Sequence, residues 1–255
     1  MGRQLENIDL VFVDIGSDTV QEPTKFYPVK LASAISGDDA AIKNQSIDIF
    51  MVAFYAHNLP DWSKWNEALL KFEIKYIPQK DEKIDPCDAA FSFDFRVRDA
   101  SSPGGFLHRR IFRRSKITDE LELKVTLDEI DEKFDMGKIT NILTKTSIGS
   151  VLDLSGYTQY IQLATDIYNG IADIAVKNDQ LWNEQFLLKS GASGGAGALK
   201  KGTYVLVATT DSKGISLVKW KDDYSNVFYK GKHLHIGQSE NHLKSNYLVF
   251  NIEIA

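Results

Sequence analysis

Only one cysteine, Cys87, occurs in the 255 residues, so no disulfide can close within the chain, and a reducing compartment suits it. Charge of one sign is not in large excess. Thirty Lys and Arg stand against 35 Asp and Glu, a formal net charge of −5, which excludes nucleic-acid binding by bulk positive charge; no nucleic-acid partner is expected. Long apolar runs are missing as well. The opening MGRQLENIDLVFVDIG has no apolar stretch of the length that a signal peptide or a membrane span needs, and Glu6 breaks the myristoylation pattern that Met-Gly would begin. The expectation is a cytoplasmic protein.

Catalytic signatures are absent too. There is no Gly-x-Ser-x-Gly elbow and no His-Glu-x-x-His. Cys87 stands in KIDPCDAAF beside two aspartates, whose negative charge disfavours the thiolate. No enzyme activity and no cofactor are expected.

What is present is an ordinary globular composition, 43% hydrophobic and 25% charged, rich in strand patterns. Leu70 to Tyr76, Phe91 to Val97 and Leu121 to Leu127 alternate apolar with polar residues, as strands with one buried face do. Ile8 to Ile15 and Ile47 to Tyr55 are apolar on both faces, which predicts strands covered on each side. Lys25 to Ile35 contains Pro28, which cannot donate to a ladder, so an edge position is expected for it. The piece LPDWSKWNEALL reads as a short helix capped by Asp61. From Tyr157 to Lys177, the residues Tyr160, Ala164, Ile167, Ile171 and Ala175 mark one face of an amphipathic helix. Period two returns in LWNEQFLLKS, TYVLVATT, GISLVKW, NVFYKGK and NYLVFNIEIA.

These patterns predict a mainly β fold: a single domain, 1–255, built as a two-sheet antiparallel β-sandwich, with a C2-like arrangement as one form of it. An N-terminal β half (1–128) and a C-terminal β half (179–255) are expected to flank a helical insertion around residues 129–178.

SGASGGAGALKKG, residues 190–202, holds five of the 17 glycines. It is not a phosphate loop: Thr203 follows Gly202 where a Walker motif needs lysine, and strands rather than a strand and a helix flank it. The expectation is a flexible hairpin tip held outside the core.

Five histidines are present, and HLHIGQSE followed by His242 spaces His233, His235, Glu240 and His242 within ten residues. His233 and His235, two apart on a strand, share a face as metal ligands must. These fragments resemble the two metal-binding motifs of cupins, whose site uses three histidines and a glutamate. The resemblance covers residues 233–246 only, lacks the flanking glycines, and leaves one residue, Asn241, between halves that cupins separate by whole strands. It implies a metal-binding protein or enzyme as one alternative; the plainer expectation is a polar turn with surface histidines. Asp14, Asp18, Asp38, Asp39, Asp222 and Asp223, in or beside loops, suit a C2-like calcium module on an anionic membrane as another.

The most distinctive signal is arginine. Six of the seven lie between residues 96 and 114: Arg96, Arg98, Arg109, Arg110, Arg113 and Arg114, with Lys116 next to them. Guanidinium forks suit carboxylates and phosphates in a way lysine does not, and the choice stands out against 23 lysines. FSFDFRVRD and FLHRRIFRRSK around DASSPGG read as a hairpin that gathers these groups. In one reading they pair with Asp94, Asp99, Glu120 and Glu122 on a solvated face. In the other they dock an acidic protein partner or a second copy of the chain, giving a homo-oligomer.

Overall fold

The computed structural model describes residues 5–16, 18, 20–35, 42–43, 45–59, 66–76, 87–103, 109–117, 120–130, 179–190, 196–211 and 224–255. The described part is built of strands. They are β1 (Ile8–Val13), β2 (Tyr27–Leu31), β3 (Ser46–Tyr55), β4 (Asn66–Tyr76), β5 (Cys87–Val97), β6 (Arg109–Lys116), β7 (Glu120–Ile130), β8 (Asp179–Lys189), β9 (Gly197–Ala198), β10 (Gly202–Ala208), β11 (Val227–Lys230), β12 (His233–Ile236) and β13 (Tyr247–Ile254).

They form two sheets, an eight-stranded one in the order β12-β11-β2-β1-β10-β13-β3-β6 and a five-stranded one in the order β5-β4-β7-β8-β9. Every pairing is antiparallel except that of β8 with β9. Both sheets draw strands from both halves of the chain.

Alternation decides how the sheets meet. In the five-stranded sheet Ala68, Leu70, Phe72 and Ile74 of β4 and Leu121, Leu123, Val125 and Leu127 of β7 point inward. Lys75, Glu122, Lys124, Glu73, Lys189 and Glu120 on the other face pair across strands at 3.1–3.8 Å. This is the one-sided burial that the alternation predicts. Ile8, Leu10, Tyr204, Leu206, Leu248, Phe250 and Ile252 of the eight-stranded sheet meet that inner face in one shared core.

β1, β10, β13 and β3 bury their second face too, in a separate cluster with Val11, Val13, Val52, Tyr55, Val205, Val207, Tyr247 and Val249. Strands apolar on both faces are thereby accounted for. Along β3 the residues facing the shared core change from Ile47, Ile49 and Met51 to Phe54, and then to Ala56 just past its end. The change of parity comes from a bulge: Val249 pairs with Ala53 and Phe250 with Met51, so Val52 has no partner and every later side chain changes face.

The eight-stranded sheet is curled. β12 lies at one end of its strand order and β3 next to the other, yet His233 of β12 packs on Tyr55 of β3 with ring centroids 5.9 Å apart. Such contact requires the sheet to bend round as a half-barrel over the second core. The β11–β12 turn supports the bend, with positive φ at Gly231 and Lys232 as a two-residue hairpin demands.

Several expectations change. β2 is an interior strand and not an edge, because Pro28 falls just past the last β1 pair, Val13 with Val29, where its carbonyl accepts the Asp14 N–H. Of LPDWSKWNEALL, residues 66–70 open β4, where pairing with β5 on one side and β7 on the other overrides the helical spacing, while 60–65 lie outside the described residues. Glu129 and Ile130 end β7; the rest of the expected helical insertion, 131–178, and GISLVKW also lie outside them. β8 and β10 belong to different sheets, so the glycine stretch joins sheets rather than closing a hairpin.

The described part of that stretch is not held outside the core either. Ala198 and Leu199 are buried, and the Tyr204 hydroxyl donates to the Ala198 carbonyl at 2.7 Å and accepts the Lys200 N–H at 2.7 Å. Glycine is needed at position 197 for closeness, since a Cβ there would stand 2.8 Å from Leu188 Cδ2.

Candidate functional site

The arginine strands are the first place to look. β5 and β6 do not pair with each other: β5 ends the five-stranded sheet beside β4, and β6 ends the eight-stranded sheet beside β3. The expected hairpin is therefore replaced by a corner that crosses between sheets. At that corner Ala56 and Ser101 exchange backbone hydrogen bonds, and the Asp99 carboxylate accepts the Leu59 N–H at 3.1 Å. Phe95 of β5 packs on Phe54 of β3 with centroids 4.9 Å apart, which sets the end of one sheet over the end of the other. Both edge strands thus lie on one flank of the sandwich, with β9 and β8 on the opposite flank near β1.

Arg96 and Arg98 are exposed and alternate with buried Phe95 and Val97. Arg110 lies 3.3 Å from the buried carboxylate of Asp48 and stacks over the Phe50 ring at 5.2 Å. Arg109, Arg113, Arg114 and Lys116 are placed by register along β6, opposite β3; their side chains are outside the described residues. Three of the carboxylates expected to neutralise the cluster are placed with these partners. Glu120 pairs with Lys189, Glu122 with Lys75, and Asp99 accepts from Leu59 and the Asn66 amide. Asp94 lies on β5, its side chain undescribed.

The second constellation is the histidines. They do not form a surface turn. His235 is 2% exposed and His233 half-buried, while His242 is exposed. Ile236 N–H bonds to the Asn241 carbonyl and Leu243 N–H to that of Leu234, which makes His235 and His242 a directly opposed, non-hydrogen-bonded pair with side chains close on one face. His233, two residues before His235, shares that face. The ring of His242 consequently lies 4.8 Å from that of His233 and 4.8 Å from that of His235.

Aromatic rings enclose the group: Tyr55 is stacked on Tyr247 at 5.0 Å, and Phe26 is edge-on to His235 at 5.5 Å. Tyr247 Oη lies 3.1 Å from His233 Nδ1 and accepts the Leu234 N–H at 3.2 Å. Glu240 turns away to pair with Lys230. Burial, then the neighbouring imidazoles and Lys232, push His233 down to about 4; burial and His242 likewise lower His235, against the pull of the Lys230 backbone and Glu240. Among the described residues no group of three or more His, Cys, Asp or Glu is placed to hold a metal ion.

Of the loop aspartates, Asp14 pairs with Lys30 at 2.6 Å and accepts the Gly16 N–H, and Asp18 pairs with Lys25. Asp38, Asp39, Asp222 and Asp223 lie outside the described residues. No helix among the described residues is long and apolar enough to cross a membrane.

Sequence reasoning missed Glu6 as more than a break in a lipidation pattern. Its carboxylate is 1% exposed and accepts Trp182 Nε1–H at 2.6 Å and the Asn246 amide at 3.0 and 3.3 Å. Asn246 also accepts the His57 N–H at 2.8 Å, so one buried network joins β8 to the segment before β13 and the end of β3. Burial pushes Glu6 up to about 7, against the two hydrogen bonds. An acid isolated before a strand, with partners 176 and 240 residues away, leaves no local pattern to read.

Set against known proteins, the chain matches no family model, and no curated protein and no solved structure is significantly similar to it.

Proposed function

We propose that this protein is a non-enzymatic binding and assembly module whose arginine-lined flank receives an acidic protein segment in extended form. The supporting observation is that both sheets end on one flank, in two strands that carry five of the seven arginines, with a sixth, Arg98, just past the end of β5. Among the described residues β6 has a strand neighbour on one side only, β3, so its outer backbone groups are a template for strand addition. Guanidinium groups along the same strand select carboxylates on the incoming segment. Like charge opposes pairing of two β6 edges, so self-association by this route sets the basic flank of one copy against an acidic surface of another. With its single cysteine the module is assigned to the cytoplasm. A C2-like use of the same flank on an anionic membrane is the competing reading.

The test replaces Arg109, Arg113 and Arg114 with glutamate and keeps Arg110, which pairs with buried Asp48. Sedimentation velocity at low and high salt, and binding of a labelled poly-glutamate peptide, are compared with wild type. The wild-type protein is expected to associate or to bind the peptide at low salt, with loss in the variant and unchanged circular dichroism. A wild-type protein that is monomeric at low salt and ignores the peptide refutes the reading, and co-sedimentation with anionic liposomes in its place favours the membrane one.

A further inference from the structure

The half-barrel has a seam, and the seam is lined with imidazoles. His233 on β12 reaches across to Tyr55 of β3 and to Tyr247 of β13, and His242, on the segment that returns along β12, lies against both other histidines and against Tyr55. We propose that His233, His235 and His242 form an acid-operated clasp, which closes the curled sheet over its second core while its rings are neutral and releases segment 237–244 when they take up protons.

The geometry leaves little room for charge. Two of the three ring pairs are 4.8 Å apart, so a second proton meets the first at contact distance. His235 Nδ1 is buried with no hydrogen-bond partner, which a neutral ring tolerates as an idle lone pair but a protonated ring does not, because it becomes a buried charged donor with no acceptor. Among the described groups that face the cluster, only Glu240 and the Lys230 backbone favour a proton on His235, and burial and the cationic neighbours oppose it. Lys230 comes from β11 and Lys232 from the turn, Tyr55 and Tyr247 from β3 and β13, and the one carboxylate, Glu240, is engaged by Lys230. Phe26 closes the remaining side over His235.

Release is confined by the anchors on either side of the segment. Ser245 donates to the Ala208 carbonyl, and Asn246 is held by Glu6 and the backbone of His57 and Asn58. The moving part therefore ends before Ser245, and at its other end Gly237, with φ +65°, gives the chain a position that accepts the change of direction. Behind the clasp lie Leu234 and the tyrosine and valine side chains of the second core, into which Leu243 of the moving segment is buried.

Hydrogen exchange followed by mass spectrometry between pH 7.5 and 5, corrected for intrinsic rates, tests this. Protection of peptides covering 233–244 is expected to fall by up to about tenfold per pH unit below about 6.5 for each linked proton, while peptides of the five-stranded sheet keep theirs. His242→Phe retains an aromatic lid without a proton site and should flatten that dependence; His235→Phe should do the same. If His235→Phe does not fold, His242→Phe, at an exposed position, carries the comparison. Protection of 233–244 that is independent of pH, or that falls only in step with the whole protein, overturns the proposal. So do imidazole C–H resonances of His233 and His235 that titrate at the ordinary histidine value in the wild-type protein.

Discussion

Glu6→Gln gives the sharpest test of how the buried network is held together. The wild-type carboxyl rises from 4.5 to about 7 through burial, and at about 1.4 kcal/mol per pH unit this amounts to about 3 kcal/mol. The sign is set by proton counting. Between these two values the folded protein holds a proton that the unfolded chain has lost, so this contribution is full below pH 4.5 and disappears as pH rises through about 7.

Glutamine removes the ionisation but not the shape. Its oxygen can keep the Trp182 N–H, while its amide nitrogen then meets the Asn246 amide, donor against donor, with a cost of about 1 kcal/mol. The variant should therefore be less stable than wild type by about 1 kcal/mol at pH 4, close to it at pH 5, and more stable by about 2 kcal/mol at pH 8. Urea unfolding followed by tryptophan fluorescence at fixed ionic strength measures both ends, and subtracting one protein from the other cancels the opposing titration of the histidines. Curves for the two proteins that stay parallel from pH 5 to 8 would show that Glu6 ionises normally in the folded state and refute the reasoning.

Two further predictions probe the frame around the sites. Phe54→Ala removes a fully buried ring that packs on Phe95 and Trp182 between the sheets, and a loss of about 3–5 kcal/mol is expected in the same assay. Gly202→Ala is strained twice, by φ of +141° and by a Cβ 3.0 Å from the Phe12 ring, so a loss of about 1–3 kcal/mol is expected; a neutral result would show that the start of β10 is not held as described.

Much of the local structure could be read from single stretches of chain. Leu121 to Leu127 alternates, and it buries one face. Ile47 to Tyr55 does not, and it buries two, although the bulge at Val52 that redirects its later side chains leaves no mark in the residue types. The residues worth watching were also readable by type: arginines crowded into one region, and histidines crowded into another. Their arrangement was not. The spacing of His233, His235 and His242 suggested a metal motif, and the fold made of it an aromatic seam whose only nearby carboxylate, among the described residues, is paired with Lys230.

Period and composition by themselves determined that this protein is built of strands, which of them are covered on one face and which on two, and where its guanidinium groups are concentrated. These properties depend on neighbours a few residues apart, and the side chains report them directly. Only the tertiary structure decided that β5 and β6 part into different sheets yet share a flank, that β2 lies inside a sheet despite Pro28, and that Glu6 is buried against residues far along the chain. Strand order and burial are set by packing between segments distant in sequence, where many partners satisfy the same alternation and only the whole core selects among them.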